Sequence, residues 1–182
     1  MSKIIVGFTG EIASGKGTAA KYLVEKYAGS THRFSSMLRD VARRRYLEEN
    51  RENLQKISTA FRQNFSEDIL SKVIYHDAQN DAHDVIAIDG VRRYSDIAYL
   101  KTLPEFKLAY IETDLEKRYA RIINRRENTD DASKTFEEFK KDQAQEAESQ
   151  IRDLKSRADF VVDNNGTFED LYFQIDKIIK GE

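Results

Sequence analysis

The chain has 182 residues, 30 Lys and Arg against 32 Asp and Glu, and a formal net charge of −2, a balance that excludes wholesale electrostatic binding to nucleic acid. Hydrophobic residues make up 40% and charged residues 34%, with one proline and eight glycines, which excludes disorder and collagen-like architecture. A chain of this length buries roughly 70% of its unfolded surface, enough for one core. Zero cysteines remove disulfides, thiolate metal sites and cysteine nucleophiles together. The start MSKIIVGFTG lacks the long apolar stretch of a secretory signal, and no run approaches the ~20 apolar residues that cross a bilayer. The expectation is a cytoplasmic protein with no membrane attachment.

The first apolar run, Ile4 to Phe8, is short and β-rich, as a strand buried on both faces would be. From Gly15 to about Tyr27 the pattern turns helical, with Ala19, Ala20, Leu23, Val24 and Tyr27 at three- and four-residue steps, until Ala28-Gly29-Ser30 stops it. A brief extended stretch at Arg33-Phe34 leads into Ser35 to Gln79, which reads as several charged helices with Leu54, Ile57, Phe61, Phe65, Ile69 and Val73 at apolar positions. Val85 to Ile88 is a second buried strand ending in Asp89-Gly90, and Ala109 to Ile111 is a third, each followed by a helical pattern. Residues 113–157 are mostly helix formers and are very polar between Glu127 and Gln150. Phe160 to Val162 then gives a last strand before a helix from Thr167 to Lys180. This alternation predicts an α/β fold, a five-stranded parallel sheet covered on both faces. No repeat or linker interrupts it, so one domain over residues 1–182 is expected.

The segment GEIASGKGT, Gly10 to Thr18, matches G-x-x-x-x-G-K and lies between a predicted strand and a predicted helix. Glycines at 10, 15 and 17 permit a loop whose N–H groups point inward, and the helix behind it presents its positive end to a triphosphate. The residues expected to bind ATP are Gly10, Ala13, Ser14, Gly15, Lys16, Gly17 and Thr18, with Lys16 reaching the β- and γ-phosphates as a catalytic cation. Gly17 stands where a Ser or Thr usually follows the lysine, so Thr18 is the candidate for the hydroxyl on magnesium. Asp89 ends the strand VIAID in the form of a Walker B segment and is the second candidate metal residue. A turn-forming Asp before Gly is the competing reading.

These residues resemble the nucleoside monophosphate kinase family of P-loop proteins. The GKGT ending is the adenylate-kinase variant. RFSSMLRD, residues 33–40, looks like the family's acceptor-binding Ser-Thr…Leu-Arg segment without its Gly-Asp. IDGVRR, residues 88–93, is similar to Asp-Gly-Phe-Pro-Arg with Arg93 in the arginine's place. RIINRR, residues 121–126, resembles the arginine-rich entry to the lid. The resemblance implies a three-layer α/β/α P-loop fold, a helical NMP-binding insert over about 35–80 and a helical lid over about 118–155. It implies Arg121 and Arg125 beside the transferring phosphate, and Ser35 among the acceptor-binding residues. The C-terminal ADFVVDNNGTFEDL, residues 158–171, looks instead like dephospho-CoA kinases.

Phosphoryl transfer asks for positioning and positive charge more than for a covalent partner. Arg39, Arg62 and Arg93 come from three chain regions and are expected to converge on an acceptor phosphate. Arg118, Arg121 and Arg125 share one helical face, though for Arg118 a solvated helix is an equal reading. Asp40 and Asp89 are the carboxylates to examine if the acceptor is a hydroxyl. His32, His76 and His83 have no metal-ligand spacing. The expectation is therefore a Mg²⁺- and ATP-dependent kinase, monomer or homodimer, acting on a small nucleotide-type acceptor, most simply a (deoxy)nucleoside monophosphate. Dephospho-CoA is the alternative acceptor, and a slowly hydrolysing ATP-binding switch is the alternative of another class.

Overall fold

The computed structural model describes residues 3–125, 135–143 and 146–182. Five strands, β1 (Ile4–Thr9), β2 (Ser30–Arg33), β3 (Val85–Asp89), β4 (Phe106–Glu112) and β5 (Phe160–Asp163), form one sheet in the order β2-β3-β1-β4-β5. Every neighbouring pair is parallel. β1 lies at the centre because it is buried on both faces: Ile5 points into one apolar cluster while Val6 and Phe8 point into the other, the two-residue alternation of a strand. Gly7 falls on the Ile5 face, where a Cβ would press to 2.8 Å from the Phe106 ring.

Helices cover both faces, as the alternation of elements predicts. α1 (Lys16–Tyr27) and α8 (Phe168–Lys180) pack through Ala19, Leu23, Leu171 and Ile175 on the Val6–Phe8 side. On the opposite side, α2 (Phe34–Arg44), α3 (Arg51–Asn64) and α4 (Ile69–Asn80) bury Phe34, Leu38, Leu54 and Ile74 against Ile5, Ile86 and Ile88. α3 opens with Asn50, whose side chain accepts the Asn53 N–H, and α8 with a reciprocal Thr167–Asp170 cap. After β4 come α5 (Leu115–Arg125), α6 (Phe136–Gln143) and α7 (Glu146–Asp153). No described helix is long and apolar enough to cross a membrane.

The structure departs from the sequence reading between β3 and β4. A helical pattern is expected there, whereas the crossover consists of two short 3₁₀ turns, Tyr94–Ile97 and Leu100–Thr102. The cause is Asp96: its carboxylate accepts the backbone N–H groups of Arg92 and Arg93 at 2.9 and 3.0 Å, which fixes a tight turn at the strand end. The expected lid falls partly on residues 126–134 and 144–145, which lie outside the described residues.

Candidate active site

The carboxyl ends of β1, β3 and β4 deliver their following loops to one edge of the sheet, where a parallel sheet concentrates its ligand contacts. After β1 the chain needs positive φ at Gly10 (141°), Ala13 (60°) and Gly15 (103°) to wrap the phosphate loop. At Gly15 glycine is required twice over, since a Cβ there would overlap Asn164 Nδ2 as well as strain the backbone. Lys16 opens α1, and its ammonium folds back onto the loop carbonyls of Gly10 at 2.5 Å and Glu11 at 2.8 Å. Gly17 is different: a Cβ would meet nothing within 4 Å, so the departure from Ser or Thr is not imposed by crowding.

The loop is braced from far along the chain. The carbonyl of Ser14 accepts from Asn164 Nδ2 at 2.7 Å, Thr113 Oγ1 at 2.9 Å and Arg121 Nη1 at 3.3 Å. Arg121 also reaches the Asn164 carbonyl at 2.9 Å, and burial lowers its pKa. Arg118 is 4% exposed. It lies 3.0 Å from the carboxylate of Glu11, which Arg152 approaches from α7 at 3.3 Å. A solvated face is thus the wrong reading for Arg118: it ties α5 to the phosphate loop, over the Phe139 ring at 5.8 Å. Arg121, which the resemblance implies beside the transferring phosphate, contacts the loop and lines the cleft. Arg125 closes α5, and its side chain, like all of Arg126, lies outside the described residues.

One continuous cleft of about 1850 Å³ joins this loop to the helices after β2. Ala13, Gly15, Lys16, Gly17, Thr18 and Arg121 line one half; Ser35, Arg39, Arg62, Asp89, Arg92 and Arg93 line the other. Every acceptor residue expected from sequence therefore reaches the same cleft, but the arginines do not stand free in it. Arg39 is 3.6 Å from Glu49, and Arg93 is 3.2 Å from Glu67. Arg62 is 7% exposed and pairs with Asp96, itself 5% exposed, at 2.6 Å. Arg62 is thus first of all the partner of a buried carboxylate, and Asp96 organises the turn that carries Arg92 and Arg93. Arg92, by contrast, shows no side-chain partner among the described residues. Asp40 is absent from the cleft lining and pairs with Arg43 at 3.0 Å on the exposed face of α2. His32 and His83 both contact Asp81, away from the cleft.

The cleft carries more cation than anion. In the half beyond the loop Arg33, Arg39, Arg62, Arg92 and Arg93 accompany Glu49, Asp89 and Asp96. Two buried polar atoms, Ser14 Oγ and Arg62 Nε, have no hydrogen-bond partner among the described residues, the situation a polar ligand relieves. Thr18 and Asp89 are both among the residues lining the cleft. Two hard oxygen donors, leaving the other positions to water and phosphate, fit Mg²⁺.

Sequence reasoning missed Glu11, Asp96 and Asn164. Asp96 was signalled only by its place three residues after Arg93, and Asn164 only by following a strand end.

A family model described as an AAA domain matches residues 9–140. A UPF0200/UPF0201 protein of Archaeoglobus fulgidus is 30% identical over 179 residues, 96% of this chain and 54% of that protein, so the chain spans little more than half of that relative's length. A UPF0200 protein of Sulfurisphaera tokodaii is 25% identical over 97% of this chain and 96% of its own. Among solved structures, TT1252 from Thermus thermophilus matches with TM-score 0.62 and 17% identity over 100% of this chain and 98% of its own. Shikimate kinase from Bacteroides thetaiotaomicron matches with TM-score 0.65 and 11% identity over 97% of each chain. At such identities the likeness is one of fold.

Proposed function

From the premise that the chain belongs to the AAA domain family of P-loop proteins and has a nucleoside-monophosphate-kinase-like fold, we propose that it is a small-molecule kinase using ATP and Mg²⁺. The γ-phosphoryl goes to a nucleotide-type acceptor, most simply a (deoxy)nucleoside monophosphate. The observation that carries this reading is the single cleft joining a phosphate loop to an arginine-rich second half. A switch that only hydrolyses ATP has no use for the second half.

In this reading the loop N–H groups and Lys16 hold the β- and γ-phosphates, and Arg121, already anchored to the loop, adds charge beside the transferring group. Lys16 leaves the carbonyls of Gly10 and Glu11 to do so. Thr18 and Asp89 would hold Mg²⁺, which supplies charge neutralisation on the phosphate oxygens. Ser35, Arg39 and Arg93 bind the acceptor, the arginines exchanging Glu49 and Glu67, both partly exposed, for its anionic group. Arg125 acts from the lid. Residues 1–182 work as one unit, with the insert over about 35–80 and the lid over about 118–155 excluding water on closure.

The test is a screen of phosphoryl transfer from ATP·Mg²⁺ to ribo- and deoxynucleoside monophosphates, dephospho-CoA and shikimate, resolving the products, with Lys16→Ala alongside. One strong monophosphate acceptor, lost by orders of magnitude in the variant, is the expected outcome. Strong transfer to dephospho-CoA would replace the acceptor. ADP release with every acceptor silent would replace the kinase reading with the switch.

A further inference from the structure

The strand register sets two side chains against each other at the carboxyl edge of the sheet. Arg33, the last residue of β2, is the direct cross-strand partner of Asp89, the last residue of β3. Arg33 Nη2 lies 2.6 Å from Asp89 Oδ2. The pairing is a product of the backbone ladder rather than of one rotamer, because both residues end their strands at the same level.

The partners are unequally held. The Asp89 side chain is 11% exposed and that of Arg33 is 54% exposed, so the carboxylate is fixed while the guanidinium is the member that can move. Arg33 immediately precedes α2, the helix that carries Ser35 and Arg39 into the acceptor half, and it lines the cleft itself. On the kinase reading Asp89 is also a metal residue. A dication beside that carboxylate and a guanidinium at hydrogen-bond distance from it repel each other, and both draw on the same negative charge.

We propose that Arg33 is a positioning residue, the resident counter-ion of Asp89, which the divalent cation releases from that carboxylate toward an acceptor in the half of the cleft that Arg33 already lines. Metal loading at Asp89 thereby frees a cation that was neutralised by that carboxylate, and by linkage an anionic acceptor and the metal strengthen each other's binding by the same factor. No bond is made or broken and no backbone shift is required, since the guanidinium already faces the cleft. The inference rests on the kinase reading above.

The test compares the affinity of the non-hydrolysable analogue AMPPNP with and without Mg²⁺, by calorimetry, for the parent, Arg33→Gln, Arg33→Lys, Asp89→Asn and the double variant Arg33→Gln/Asp89→Asn. Removing the competitor should raise the Mg²⁺-dependent gain about three- to tenfold in Arg33→Gln, with Arg33→Lys nearer the parent. On the Asp89→Asn background the same change should have little effect. A second arm measures AMP as the acceptor probe: the parent should bind it more tightly with Mg²⁺·AMPPNP than with AMPPNP alone, and Arg33→Gln should lose that difference. An unchanged or smaller metal gain in Arg33→Gln, an equal rise without Asp89, or no metal dependence of AMP binding in the parent overturns the inference and leaves the kinase reading standing. A parent that fails to bind AMPPNP with Mg²⁺ overturns both.

Discussion

Removing the Asp96 carboxylate tests the architecture of the acceptor half most directly. Its Oδ1 lies 2.6 Å from Arg62 Nη2, and the two side chains are 5% and 7% exposed. Its Oδ2 accepts two backbone N–H groups. Truncation to alanine leaves a buried guanidinium without its main counter-ion, a change that costs about 3–5 kcal/mol in other proteins. Glu67, 62% exposed at 3.3 Å, compensates only in part, which favours the lower end, about 3 kcal/mol. The two stranded N–H groups are partly buried and add about 1 kcal/mol. We expect Asp96→Ala to lose about 4 kcal/mol in urea denaturation and, at about 2–4 °C per kcal/mol for a chain of this size, about 8–16 °C in Tm. Asp96→Asn keeps one oxygen for the two N–H groups but no charge for Arg62 and should fall between. The double change Arg62→Met/Asp96→Leu should recover much of the loss, because no charge is then left alone. A loss below about 1 kcal/mol in Asp96→Ala would refute the reasoning.

Arg93→Ala should weaken use of the acceptor far more than ATP binding, with less than about 1 kcal/mol change in stability because its partner Glu67 is 62% exposed; steady-state kinetics varying each substrate would reassign the residue if both fell equally. Gly15→Ala and Gly17→Ala should diverge. The first is strained and collides with Asn164, whereas the second meets open space inside a helix and gains about 0.5–1 kcal/mol, a contrast read by thermal unfolding. Tyr27 gives a pH signature. Burial and the hydrogen bond it donates to Asp176 at 2.8 Å push its phenol from 10.0 up to about 12. The folded state therefore keeps a proton that the unfolded state has released, and stability should be intact below pH 10 and decline between about 10 and 12. Lys26, also raised by Asp176, acts in the same direction. Tyr27→Phe should flatten that decline in unfolding curves taken from pH 9 to 12; an unchanged slope would discount the phenol.

Much of the fold was legible because its signals are local. The runs Ile4–Phe8 and Val85–Ile88, buried on both faces, announce parallel strands, and the glycine spacing announces the loop between β1 and α1. The turn after β3 was not legible, because it depends on one aspartate satisfying two N–H groups, which a helical apolar pattern overrides on paper. The site divides in the same way. Lys16 and Thr18 follow from a contiguous motif, and Arg121 from a resemblance. The partners of Arg39, Arg62 and Arg93 are set by tertiary contacts spanning up to 34 residues, and no periodicity reports which arginine meets which carboxylate. Arg33 escaped because its meaning comes from cross-strand register, invisible until the β2–β3 pairing is known.

The motif that defines the phosphate loop is complete by residue 18, yet the carbonyl of Ser14 is held by residues 113, 121 and 164. A loop spelled by nine adjacent residues is thus shaped by groups 99, 107 and 150 positions further along the chain. A substitution at Thr113, Arg121 or Asn164 therefore reshapes the loop while leaving its motif intact, so an unaltered motif is no guarantee of an unaltered loop.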